Sequence, residues 1–176
     1  MVRRRWTFAL SVLLSAAAPR IVLAQAPRDT RVPDATERIK LSGPRFGMTF
    51  LPPALRDSLS AHNVKVGPVI SQFGWQFERQ FLGNPGGLTA VSEWVLLVGG
   101  LEQGTFLPSL SWLVGVRSQN GTEFGVGPNV SPAGFSLVVA SGVTFRSGAL
   151  NVPINLALVP SQSGVRVGLL TGFTMR

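Results

Sequence analysis

The stretch Leu150-Asn151-Val152-Pro153-Ile154-Asn155-Leu156-Ala157-Leu158-Val159 decides the fold. Leu150, Val152, Ile154, Leu156 and Leu158 share one parity, and Asn151, Pro153, Asn155, Ala157 and Val159 share the other. A period of two belongs to a β-strand, whose successive side chains point to opposite faces. One face is uniformly bulky and the other mostly small or polar.

The same texture runs outward in both directions. Val165, Val167, Leu169, Thr171 and Phe173 alternate with Arg166, Gly168, Leu170, Gly172 and Thr174, while Leu137, Val139, Val143 and Phe145 alternate with Val138, Ala140, Gly142, Thr144 and Arg146. Upstream, Trp112, Val114 and Val116 oppose Ser111, Leu113, Gly115 and Arg117, and Phe124 and Val126 oppose Glu123, Gly125 and Gly127. Phe46, Met48 and Phe50 oppose Arg45, Gly47 and Thr49; Phe73, Trp75 and Phe77 oppose Gln72, Gly74, Gln76 and Glu78. Only the run from Val91 to Leu101 is apolar on both faces, which leaves its register open.

Turn chemistry separates these runs at 83–87, 99–100, 119–121, 131–134, 147–148 and 161–164. Asn120-Gly121 is the strongest hairpin signal. Asn120-Gly121-Thr122 and Asn129-Val130-Ser131 also match a glycosylation pattern, but a hairpin turn and a loop entry explain them better. From Pro52 to Asn63 the period changes: Leu55 and Leu59 at helical spacing, with Pro53 near the start, predict a short helix between the first two strands. The fold expected is all-β, an up-and-down antiparallel barrel of about eight strands over 43–176.

Residues 1–24 carry the three parts of a secretory signal: Arg3-Arg4-Arg5, the apolar run Trp6 to Ala18, and Val22-Leu23-Ala24 before a cut. The apolar run is too short to cross a bilayer as an anchor, which takes about 20 residues. Residues 25–42 mix Pro, Asp, Thr and Arg without periodicity and read as a flexible leader. Lys and Arg number 16 against 8 Asp and Glu, but Arg3, Arg4, Arg5 and Arg20 precede the cut, so the mature excess is only +4. No continuous basic stripe with stacking aromatics remains, which argues against nucleic acid as a partner. Cysteine is absent, so the fold holds without disulfides and has no thiolate metal site.

Which way the bulky face points follows from charge. A water-soluble barrel turns its apolar residues inward and presents charged ones outside. Here the outside would then be Gly, Ala, Asn, Gln and scattered Arg, in a chain with only 14% charged residues. Turning the bulky face outward gives a band suited to lipid, with closure pairing every backbone group where no water can. In this pattern the chain resembles the small, eight-stranded bacterial outer-membrane barrels. Arg166-Val167-Gly168-Leu169-Leu170-Thr171-Gly172-Phe173 is similar to the closing segment by which such proteins meet the outer-membrane assembly machinery. The resemblance implies an outer-membrane location and outer-membrane lipid as a partner.

On the polar face stand Arg45, Gln72, Gln76, Glu78, Arg117, Glu123, Arg146, Asn155 and Arg166, with Glu93 joining if its strand follows suit. Eight strands enclose room only for side chains, so these residues are expected to fill the lumen as a polar network rather than to line a channel. Glu78 and Glu123 should lie among Arg117, Arg146 and Arg166, because lone ions in such an interior are costly. No cofactor or metal is expected, since the single histidine, His62, has no cysteine or carboxylate cluster around it. The reading is non-enzymatic, structural or interactive, with Pro52 to Asn63 as a contact element outside the barrel. Two rivals remain: a soluble periplasmic barrel carrying an apolar ligand with the bulky face inward, and a lipid-modifying enzyme using His62 beside Asp57, Ser58 and Ser60.

The signal fixes a measurable end. Mass spectrometry of the exported protein should find Gln25 as its first residue, and an intact Met1 would overturn the assignment.

Overall fold

A computed structural model describes residues 40–83 and 87–175; the signal sequence, most of the leader and the tip of the 83–87 turn lie outside them. Strands β1 (Gly43–Phe50), β2 (Val69–Gly83), β3 (Thr89–Gly99), β4 (Leu107–Arg117), β5 (Thr122–Ser131), β6 (Gly134–Ser147), β7 (Leu150–Ser161) and β8 (Gly164–Gly172) each pair antiparallel with their sequence neighbours. Pairing of β8 with β1 closes the ring. A two-residue strand β9 (Thr174–Met175) resumes the line of β8 beyond Phe173 and pairs with the start of β7. The result is a closed eight-stranded antiparallel barrel with one helix, α1 (Pro53–Ala61), between β1 and β2.

The alternation read from the sequence sets the two surfaces. Phe46, Phe73, Trp75, Trp94, Trp112, Leu137, Leu156 and Leu169 are all exposed on the outside, while Arg45, Gln76, Glu93, Arg117, Glu123 and Arg166 are buried. The open register of the 91–101 run is settled by its pairing: Glu93 lies opposite Glu78 and Trp94 opposite Trp112, so Val91, Glu93, Val95 and Leu97 face inward. Inward positions without room become glycine. A Cβ on Gly74 would sit 1.9 Å from Leu96 O, and one on Gly127 would sit 1.8 Å from Trp112 O.

The interior is layered. Across its middle pack Val95, Leu97, Leu113 and Val138, with Ala140, Ala157, Val159 and Leu170 beside them. At one mouth α1 folds inward: Leu55 and Leu59 join Leu51, Ile70 and Leu107, with Val64, Val66 and Ala133 against them. The expected helix is present, but its apolar face is spent on closing the mouth, so only its polar side is left for contacts outside the barrel. The loop beside it is tied down as well. A short 3-10 turn, Leu101–Gln103, places Gln103 to accept from Gly67 N at 2.6 Å and donate to Val69 O at 2.7 Å. Glu102 accepts from Ser71 N at 2.9 Å and from the Ser71 hydroxyl, and these bonds hold its carboxyl below the ordinary range.

At the opposite mouth the barrel begins earlier than the alternation suggested. Leu41 is fully buried, Arg45 Nη2 donates to Leu41 O at 2.6 Å, and Glu78 N donates to Ser42 Oγ at 2.9 Å. The last leader residues thus belong to the folded unit, because an apolar side chain and a hydroxyl there meet a closing interior.

Leu55 is the deepest residue of the helical cap. Leu55→Ala is expected to cost about 2–5 kcal/mol, the usual range for emptying a buried leucine site, measured by urea unfolding of the purified protein; no loss would show that α1 does not seal the mouth.

Candidate functional site

The lower half of the lumen, toward Leu41, is organised by one guanidinium. Register places Glu78 of β2 directly opposite Glu93 of β3, and Arg117 of β4 directly opposite Glu123 of β5. Two carboxylates facing each other across a strand pair repel. Arg117 resolves this by reaching all three acids. Its Nη1 donates to Glu78 Oε1 at 2.7 Å and its Nη2 to Glu78 Oε2 at 2.6 Å, a bidentate pair. Nη2 also lies 2.9 Å from Glu93 Oε1 and 2.7 Å from Glu123 Oε2, and Nε donates to Glu123 Oε2 at 2.9 Å. The Arg117 side chain is 3% exposed and that of Glu78 only 2%, so little water shares the task.

The outer bonds of the cluster extend it. Asn155 Nδ2 donates to Glu123 Oε1, and Gln80 Nε2 donates to Glu78 Oε1 at 2.9 Å. Arg45 donates through Nε to Gln76 Oε1 at 2.9 Å and through its other nitrogens to Pro44 O at 3.0 Å and Leu41 O at 2.6 Å. It is the second cation of this half, held by neutral oxygens rather than by an acid.

The upper half, beneath α1, is built differently. Gln72 Oε1 accepts from Thr49 Oγ1 at 2.6 Å. Arg166 donates to Ser131 Oγ and to Asn129 Oδ1, each at 3.0 Å. Arg166 was expected near Glu78 and Glu123. It stands instead beyond the apolar layer, because its position on β8 lies toward the α1 mouth. Arg146 also departs from expectation. It shares the inward parity of β6, but it lies at the rim, is exposed, and donates to Gln119 O at 2.5 Å in the 118–121 turn.

Sequence reasoning missed Asn129, which is 2% exposed and is the hub of the upper half, and with it Ser109, Ser111 and Ser131. The signal was available: parity carries on from Glu123 through Gly125 and Gly127 to Asn129 and Ser131. Reading Asn129-Val130-Ser131 as a loop entry ended the strand too soon.

Between the two halves lies a cavity of about 80 Å³, lined by residues including Gln76, Glu93, Leu97, Ser111, Asn155 and Arg166. Space for one water takes about 10–15 Å³ on such a measure, so this cavity has room for about five to eight of them. His62 stands apart from all of this, exposed at the C-terminus of α1, with Nδ1 donating to Ser58 O at 2.9 Å. No group of three His, Asp or Glu side chains among the described residues is arranged to hold a metal. Comparison with known proteins returns no matching family model, no matching curated protein and no matching solved structure.

Because three carboxylates converge on Arg117, Arg117→Met should be the most damaging single change in the lumen, with a loss of about 3–5 kcal/mol as buried charges are stranded. Arg146→Met should leave stability unchanged. Chemical unfolding of the purified proteins measures both, and equal midpoints for the two variants would contradict the cluster's structural role.

Proposed function

We propose that this protein is a transmembrane β-barrel of the bacterial outer membrane, with a side-chain-filled lumen and a structural or interaction role rather than a catalytic one. The observation that carries the reading is the outer face: on the outward positions of β1 to β8, the only charged side chain among the described residues is Arg79. Arg79 sits toward the β2 end that leads into the 83–87 turn, where a long cationic side chain can reach head groups. Elsewhere that face is Leu, Val, Ile, Phe, Trp and Met, with a few Ser, Thr, Ala and Pro. A soluble carrier would need this bulky set turned inward.

The height of the band supports the same conclusion. On β6, outward residues run from Phe135 to Phe145, ten steps apart, both more than half exposed. At about 3.3 Å per residue and a tilt of about 40°, that spans about 25 Å, the height of an outer-membrane barrel's apolar band. Polar groups on the outside are also satisfied from within: Trp112 Nε1 donates to Ser92 Oγ at 2.9 Å, and Thr171 Oγ1 donates to Pro153 O at 2.9 Å. Hydrocarbon offers such groups no partner, so internal acceptors are required. The Arg166 to Phe173 segment, most of β8 and the residue after it, is the element through which the assembly machinery would receive the chain.

Carbonate-washed outer membranes should retain the protein, and Val139→Arg and Leu156→Arg should block its assembly there, since a charge at mid-depth costs about 2–4 kcal/mol. Ala140→Ser, on the inner face, should assemble normally. Release of the wild type by carbonate, or normal assembly of both arginine variants, would sink the proposal.

A further inference from the structure

The α1 mouth of the lumen contains a positive charge that no acidic side chain among the described residues meets. Arg166 is 9% exposed, its terminal nitrogens are bonded to the neutral oxygens of Ser131 and Asn129, and its Nε has no partner. The lumen acids Glu78, Glu93 and Glu123 are all paired with Arg117 in the other half. An isolated buried guanidinium costs several kcal/mol unless something offsets it.

The groups around it are donors left over. Asn129 Nδ2 donates to Ser109 Oγ at 2.8 Å and to Ser111 Oγ at 2.9 Å. A hydroxyl that accepts still has its own hydrogen to give, and neither serine has an acceptor among the described residues. Ser136 lies directly opposite Asn129 in the register; it is 6% exposed and its hydroxyl has no partner. Arg166, Asn129, Ser109 and Ser111 line the 80 Å³ cavity. Arg166 and Ser109 also line a second cavity of about 30 Å³ beneath Leu55 and Leu59.

We infer that this mouth is a binding site for one small monovalent anion of the chloride class, held by Arg166 with the hydroxyls of Ser109 and Ser111. One uncompensated positive charge matches one negative charge. The 30 Å³ cavity beneath α1, which Arg166 and Ser109 line, suits an anion of one or two atoms. Bound there, the anion would accept the serine hydrogens and an N–H left over on the Arg166 terminal nitrogens, each of which has spent one of its two hydrogens on Ser131 or Asn129, and it would offset the desolvation cost of the guanidinium. The inference concerns the lumen and stands whether or not the outer face meets lipid.

The test uses the full exported protein in a non-ionic detergent, with thermal unfolding followed in sodium chloride and in sodium gluconate at equal ionic strength. Gluconate is too large to enter. Chloride should raise the midpoint saturably by about 3–6 °C, Arg146→Met should keep that rise, and Arg166→Met should abolish it. Equal midpoints in the two salts for the wild type, or an undiminished rise in Arg166→Met, would overturn the site. Should Arg166→Met not fold, the Ser109→Ala/Ser111→Ala double variant decides: at least a tenfold increase in the chloride concentration needed for half the rise supports the site, and an unchanged concentration refutes it.

Discussion

Closing eight strands into a ring fixes a narrow interior, and that volume governs everything placed at an inward position. The wall adds its own limit at Gly74 and Gly127, where a Cβ would overlap the backbone oxygen of the adjacent strand. Where side chains do fit, they stand close enough to bond one another across the interior. Arg117 therefore meets Glu78, Glu93 and Glu123 at once. The same closure frees the outer face from carrying polarity, and its outward positions are apolar almost throughout.

The barrel was legible in the sequence because parity is a strong signal when one face is consistently bulky. Leu150 to Val159, Val165 to Phe173 and Leu137 to Phe145 each state which side is which, and a one-residue slip would invert a whole strand. The 91–101 run was illegible for the matching reason: Val91, Val95 and Leu97 fill the apolar layer, while Trp94, Leu96 and Val98 cover the outside, so both faces are hydrophobic. Its neighbours decide its register, and no residue within it does.

The candidate site was legible by face but not by height. Parity put Arg45, Glu78, Arg117, Glu123, Arg146 and Arg166 on the inner side, yet pairing depends on how far along the barrel each one lies. That distance comes from the stagger between strands, which no single strand's sequence contains. Hence Arg146 stops at the rim, where the 118–121 turn supplies its acceptor, and Arg166 falls on the far side of the apolar layer. The helix shows a similar limit. Its period was visible in Leu55 and Leu59, but an amphipathic stripe does not say whether it covers a partner or the chain's own open mouth.

Height along the barrel also explains where the aromatic residues fall. Trp94 and Trp112 are each the middle residue of their strands and stack with ring centroids 5.7 Å apart, with Trp75 next to the middle of β2. Phe50, Phe135, Phe145 and Phe173 stand near the ends. Tryptophan normally gathers where an indole N–H can meet water at a membrane boundary. Trp112 has no need of that position, because Ser92 across the strand pair accepts its hydrogen at 2.9 Å. A neighbouring hydroxyl thus lets a polar-tipped ring sit at mid-height. In the lumen the bonds reach farther, from Arg117 on β4 to Glu78 on β2 and from Arg166 on β8 to Asn129 on β5, because across a narrow interior a long side chain meets strands that are not its neighbours.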